Sequence, residues 1–448
     1  MAGYQKLNVL LTEELDQVYE EGYDIDKAAY KAEILTAGDD EAELMAIYNK
    51  LLNAKIRSDF RYVEPSDYES IVKESKGGNK ITEVGDDFDR FYGAWLGRCI
   101  GCALGQPVEL WHHSGIRTWC EKADKYPLKG YIPTYSRAET EDNIRVNATH
   151  PSTDENIKCM VTDDDIRYTV LGVMMTDSKG SDFDTYDVGA SWVYNLPYRA
   201  LCTAENQAYL NFCNVDEFGP WGKPENAMTY FEKGKVNTYL NPYREWIGAQ
   251  IRIDAYGYVA AGNPHLAAKM AYIDAYLSHT KNGIYGAMFF AALIASAFVC
   301  KDIEECIRMA AVEIPTNSRF FEMIDKAVAV GNNAKSIDEI ITGVNALYPE
   351  YNYVHTINNA AICIASIAYS KGDFGEAVAL AVMCGLDTDC NGATVGSIMG
   401  AFCGEKGIGD NWKNPLNDTL YSGLTSYNPT KIRDIARKTM EIHQMICK

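Results

Sequence analysis

Two stretches of the chain crowd side chains that can do chemistry. GLDTDCNG holds Asp387 and Asp389 two residues apart with Cys390 directly after them, and MVTDDDIRY runs Thr162, Asp163, Asp164 and Asp165 together. Carboxylates this close repel one another unless solvent, protons or cations neutralise them, so each cluster fits a divalent metal site. Residues two apart on a helix point about 200° apart, so Asp387 and Asp389 can face one point only from a loop or a helix start. The helix is expected to begin after them. The Asp163 cluster equally fits a capped helix, with Thr162 as N-cap, acids in the first turn favoured by the macrodipole, and Asp165 at the capping-box spacing.

Other motifs narrow the chemistry. DTDCNG opens like a calcium-binding D-x-D-x-N-G loop, but the twelfth position is Ile398 and the second half is apolar, which argues against an EF-hand. Cys99 and Cys102 form a C-x-x-C inside a small-residue segment with no second pair, so they read as buried thiols. No phosphate-binding P-loop, dinucleotide G-x-G-x-x-G or H-E-x-x-H is present. Glu109 closes GCALGQPVE just beyond Pro107. It is either a surface acid after a helix end or, given the glycines before it, part of a site.

Those acids need elements to hold them. FYGAWLGRCIGCALG carries glycines at 93, 97, 101 and 105, and the stretch after Asp389 repeats the spacing at 392, 396, 400 and 404. Residues four apart share one helical face, and each interior glycine costs about 1 kcal/mol against alanine. Close approach of another helix backbone would offset that loss, and the two ladders are candidates to face each other. Alanine-rich segments such as AAKMAYIDAYLSH, NNAAICIASIAYS and GEAVALAVMCG favour helices, while sustained period-two strand patterns are scarce. The expected fold is all-α, a compact orthogonal multi-helix domain. GAMFFAALIASAFVC is too short for a membrane span and reads as a buried core helix.

Residues 1–85 read as a helical N-terminal extension, and the main domain is expected over 86–448, after the polar segment KESKGGNKITEVGDD. Residues 126–157 and 211–243 read as irregular, the second interleaving turn residues with aromatics. At 448 residues, 47% hydrophobic, with a net charge of −20, the chain can bury a large core and repels phosphate backbones and anionic membranes. Neither nucleic acid nor membrane is an expected partner. The N-terminus lacks a secretory pattern and 13 scattered cysteines suit reduced thiols, so a cytoplasmic location is expected.

Taken in order, GAWLGRCIGCALGQPVE, VTDDD and GLDTDCNGATVGSIMGAFCG resemble the ADP-ribosylglycohydrolase family. The resemblance implies an all-α hydrolase with two Mg²⁺ ions, sometimes Mn²⁺ or Ca²⁺. Thr162, Asp163 and Asp164 would be ligands from one motif, and Asp387, Asp389 and Cys390 from the other. Cys390 stands where the family commonly has threonine, and Asp165 also replaces a frequent threonine, adding negative charge. Glu109, with Asp164 and Asp387, would form the catalytic set. WIGAQIRIDAYGY and LSHTKNGIYGAM are similar to the family's substrate loop and pocket helix, which implies substrate roles for Gly248, Arg252 and His279. YREWIG replaces the usual diphosphate loop, with Tyr243 and Trp246 available to stack on a base or sugar. The implied substrate is an ADP-ribosylated protein or small molecule. The alternatives are hydrolysis of another ribosylated small molecule or nucleoside, and a non-catalytic ADP-ribose-binding or structural relative.

Overall fold

The Lys281–Ala297 helix has no charged residue after Lys281 and therefore no polar face, and in the computed structural model every residue from Asn282 to Ala297 is buried. The structure describes residues 3–85, 87–219 and 222–447. Pro264–Ala275, Thr356–Ser370 and Thr388–Cys403 pack against this central helix, and Phe88–Gly105 packs on Thr388–Cys403. The expected all-α class holds: among the described residues the strands are Thr419–Leu420 and Thr430–Lys431, one antiparallel pair. No helix among them is long and apolar enough to cross a membrane.

The two glycine ladders meet. A Cβ built on Gly97 would lie 1.9 Å from the Gly396 carbonyl oxygen, one on Gly101 1.8 Å from that of Gly392, and one on Gly93 2.4 Å from that of Gly400. Phe88–Gly105 and Thr388–Cys403 are therefore antiparallel and backbone to backbone. The lost helix propensity is offset by this contact, including Cα–H to carbonyl approaches that any side chain would prevent.

The N-terminal helices Leu7–Glu20, Lys27–Ala37 and Glu41–Leu51 build a small core of their own from residues such as Leu11, Ile34 and Tyr48, with Leu240 contributed by the rest of the chain. Charge joins them to it. Arg244 is buried with Nη1 on Glu14 at 2.9 Å and Nε on Glu21 at 2.6 Å, and Arg319 is held between Glu64 and Glu245 at 2.8 Å each. Removing one member of such a buried pair costs about 3–5 kcal/mol, so this network ties the N-terminal helices to the residues around Arg244 and Arg319. In the polar segment KESKGGNKITEVGDD the Thr82 N–H donates to the Gly262 carbonyl and Asn79 Nδ2 to that of Met309. Asp86, the expected boundary, lies outside the described residues, as do Pro220 and Trp221. Within 211–243 a short helix forms at Ala227–Lys233.

Candidate active site

The ladder ends at the acids. A Cβ on Gly105 would fall 2.2 Å from the Thr388 carbonyl oxygen, and the Thr388 hydroxyl donates to the Gly105 carbonyl at 2.9 Å. Beyond Gly105 the chain makes a short 3-10 turn, Gln106–Val108, and reaches Glu109. Leu110, at φ +63°, turns back so that its N–H donates to the Leu386 carbonyl. Opposite it, Gly385 is at φ +78°, and a Cβ there would meet His113 N and Trp111 O at 2.7 Å. The segment leaving one ladder is thus laced to the segment entering the other.

Asp387 is the N-terminal flanking residue of the Thr388–Cys403 helix, and Asp389 lies in its first turn rather than before it. Asp387 makes no capping hydrogen bond with its carboxylate. Its N–H instead donates to Asn359 Oδ1 at 3.3 Å, and that same oxygen accepts from Asn391 Nδ2 at 2.8 Å. Fully buried Asn359 is therefore a positioning residue, one that no motif marked.

In the second cluster the N-cap is Asp163, not Thr162. Asp163 Oδ1 accepts from the Asp165 N–H at 3.1 Å, and its other oxygen accepts from Gln106 Nε2 at 2.7 Å. Thr162 lies exposed at the rim, its hydroxyl accepting from Arg167. Asp165 is buried and paired: Arg98 donates to its Oδ1 at 2.8 Å, and the Cys390 thiol donates to its Oδ2 at 3.3 Å. Arg98 also forms an ion pair with Asp254 at 3.2 Å. The extra negative charge expected at Asp165 is balanced by Arg98.

Two sets of donor atoms result, each within 4.8 Å of one another: Cys102, Asp163, Asp165 and Asp389, and Asp387, Asp389 and Cys390. Asp389 belongs to both. Its Oδ1 is buried and accepts no hydrogen bond. Burial, then the charges of Asp387 and Asp163, hold the Asp389 carboxyl well above the usual range, and burial with the Asp163 charge does the same to Asp164. An orphaned carboxylate oxygen among mutually repelling hard oxygen donors fits divalent cations. Asp164 falls outside both sets, whereas Asp165 and Cys102 belong to the first. Cys102 is one residue past Gly101 on the ladder helix, and only the ladder pairing brings it to the acids. Glu109 is open to solvent at the rim, yet partial desolvation and the charges of Asp387 and Asp163 raise its carboxyl to about 7.

The profile of the ADP-ribosylglycohydrolase family matches residues 84–446. The chain belongs to the ADP-ribosylglycohydrolase family. A solved structure titled "ADP-ribosylglycohydrolase-related protein complex" is similar at 18% identity and TM-score 0.49, covering 80% of this chain and 98% of that one. No curated protein matches the sequence.

This family member places its other expected site residues in a tightly closed region. Arg252 is buried, with Nε on Asp274 at 2.7 Å, Nη1 on Glu205, and the Trp192 ring 4.9 Å from its guanidinium carbon. Gly248 lets the Glu205 carboxylate come against the backbone, since a Cβ there would meet Oε1 at 2.3 Å. His279 is fully buried, with Nε2 accepting from the Ala249 N–H and Nδ1 beside the Ser278 hydroxyl at 2.8 Å. Burial pushes it well below its usual range, so it is neutral. Tyr243 is fully buried between Tyr4 and Trp246, both of which retain exposed surface. Neither Arg252, His279 nor Tyr243 presents its side chain to solvent in this arrangement.

Proposed function

We propose that this ADP-ribosylglycohydrolase-family hydrolase cleaves the glycosidic bond of an ADP-ribosylated side chain or small acceptor and releases ADP-ribose. The observation that carries this is Asp389, shared by two donor sets and left with an unsatisfied oxygen at the foot of the glycine ladder. Thr162, Asp163, Asp164, Asp387, Asp389 and Cys390 would hold two Mg²⁺ ions, with Mn²⁺ or Ca²⁺ as substitutes. When bound, such ions supply positive charge that orients ribose hydroxyls beside the anomeric carbon. Glu109, raised to about 7, is suited to accept the proton of the attacking water as the carbon–acceptor bond breaks. Asp164 and Asp387 surround that reaction with the negative charge an oxocarbenium-like state favours. In this proposal residues 86–448 form the catalytic unit and 1–85 an extension, in a reducing cytoplasm that suits 13 free thiols.

A second substrate class is favoured by one feature. Both arginines of the loop 243–252 are committed to carboxylates, Arg244 to Glu14 and Glu21 and Arg252 to Glu205 and Asp274. That leaves the loop no free cation for a diphosphate and supports a ribosylated small molecule or nucleoside without one. Release assays on arginine-, serine- and nucleotide-linked ADP-ribose and on unphosphorylated ribosides, with Mg²⁺ or chelator, separate the two. Glu109→Gln is expected to lower kcat by about 10²–10⁴-fold without loss of cation affinity. Release that survives both this change and the chelator would refute the mechanism.

A further inference from the structure

Three sulfur atoms that belong to neither carboxylate donor set converge where the central Lys281–Ala297 helix gives way to Ile303–Ala311. Past the first helix the Cys300 N–H still donates to the Ser296 carbonyl at 3.0 Å, so the chain stays wound as far as Cys300. Lys301 and Asp302 then turn it, and Asp302 caps the second helix by accepting from the Glu304 N–H at 3.1 Å. Cys306 and Met309 lie three apart on that helix and so share one face. That face meets Cys300, whose Sγ lies 3.4 Å from Met309 Sδ, and the Cys300 and Cys306 thiols share a hydrogen bond. Asn79 fixes the Met309 backbone by donating to its carbonyl at 2.8 Å.

A buried thiol is ordinarily a small apolar filler, and Cys306 donating to the Asp302 carbonyl at 3.4 Å fits that role. The convergence goes beyond it. The contacts of Cys300 with Met309, of Cys300 with Cys306 and of Cys306 with Asp302 are served by two thiol protons, so in one of them lone pairs face each other with no proton between. The sulfur–sulfur approach at Met309 is also shorter than the roughly 3.5–4.0 Å of ordinary contacts between the smaller carbon atoms. Cys306 is 0% exposed and Cys300 5%, while Met309 is half-buried and gives the cluster its contact with solvent. The nearby carboxylates of Asp302 and Glu305 are exposed, which leaves sulfur as the donor type of the buried cluster.

We propose that Cys300, Cys306 and Met309 bind one soft monovalent metal ion, Cu(I) or its analogue Ag(I). Thiolate and thioether donors select such ions, whereas Mg²⁺ demands oxygen and structural Zn²⁺ a fourth ligand. On binding, the two thiols release two protons to solvent and their sulfurs close on the ion, with Met309 as the neutral third donor. The metal keeps its oxidation state. A disulfide between Cys300 and Cys306 would leave Met309 without a role, so the contact at Met309 favours the metal. The inference is independent of the hydrolase proposal, because none of the three residues belongs to that site.

Anaerobic titration of the full, reduced chain with Cu(I) held by excess bicinchoninate tests it, with X-ray absorption at the copper edge counting the sulfur ligands. The parent is expected to retain one Cu(I) on three sulfurs and to release two protons per ion. Met309→Leu conserves volume and fold, and is expected to leave two sulfurs and to weaken binding by at least the roughly tenfold that losing even a supporting contact costs a metal site. Cys300→Ser, checked for folding by its thermal melt, is expected to lose the ion to the chelator. The proposal is overturned if the parent retains no Cu(I), if Met309→Leu leaves both sulfur count and affinity unchanged, or if folded Cys300→Ser keeps the ion as the parent does. A Cys300–Cys306 disulfide formed with oxidised glutathione in a chain that holds no Cu(I) when reduced would also overturn it, and would assign the pair to redox chemistry.

Discussion

A methyl group built on Gly105 would lie 2.3 Å from the backbone nitrogen of Asp389. The last rung of the ladder is therefore also the seat of the carboxylate shared by both donor sets. Helix propensity favours Gly105→Ala by about 1 kcal/mol, but a contact this short with rigid backbone forces the two helices apart, and overpacking costs about 1–3 kcal/mol or more. The clash wins. Urea denaturation is expected to show a net loss of about 1–2 kcal/mol, and calorimetry a weakened affinity for divalent cations. An alanine variant as stable as the parent with unchanged affinity would disprove the coupling.

Asp389→Asn separates stability from cation binding. Burial and neighbouring acids hold the Asp389 carboxyl well above its usual range, so its charged form is unfavourable in the folded chain without a cation. In chelator the variant is expected to melt at or above the parent temperature. In saturating Mg²⁺ the parent is expected to gain about 2–4 kcal/mol by mass action and the variant little. Equal cation-induced shifts in the two proteins would remove Asp389 from the site.

Much of this was legible beforehand because it depends on spacing. Glycines every fourth residue predict close helix packing, and the two ladders do meet at Gly97 and Gly396. An uninterrupted apolar run predicts a central helix, which Lys281–Ala297 is. What spacing cannot carry is pairing between distant side chains. Arg98 balances Asp165 from a helix 67 positions earlier, and Asn359 holds Asp387 from one 28 positions earlier, with no local pattern marking either. The fates of Arg252 and Arg244 were hidden for the same reason, since their carboxylates come from Glu205, Asp274 and the N-terminal helix. The N-cap moved by one residue because Gln106 and the Asp165 N–H both bond to Asp163.

Cys390 gives the site a softer corner than a hydroxyl would. Its thiol already donates to Asp165 Oδ2, a bond that a serine hydroxyl can reproduce. If Cys390 is a ligand as proposed, Cys390→Ser should raise Mg²⁺ affinity and lower Cd²⁺ affinity, because thiolate favours soft cations and hydroxyl hard ones. A change of about tenfold in their ratio, equivalent to about 1.4 kcal/mol, is expected from competition calorimetry. An unchanged ratio would exclude the sulfur from the coordination shell.

Packing of the Leu7–Glu20 helix on the rest of the chain is expected to weaken as pH rises. Burial raises Glu14 to about 7 against the opposing charge of Arg244, and burial with the Glu245 charge raises Glu20 to about 8. Both groups hold a proton in the folded chain that the unfolded chain releases near pH 4.5. Their contribution is therefore complete below that value and is lost as pH climbs through about 7 and then 8. Glu21 and Glu245 are shifted down by Arg244 and Arg319, so their contribution is lost only in acid, outside this window. Amide exchange, corrected for intrinsic rates, should show the Leu7–Glu20 helix more protected at about pH 5.5 than at about pH 8.5. The expected difference is about 1–2 kcal/mol, reduced from the full linkage value because Glu20 keeps some contact with solvent. Glu20→Gln removes one of the two titrations and should flatten the upper half of the profile. Protection that rises with pH, or a profile that Glu20→Gln leaves intact, would place the pH dependence elsewhere in the chain.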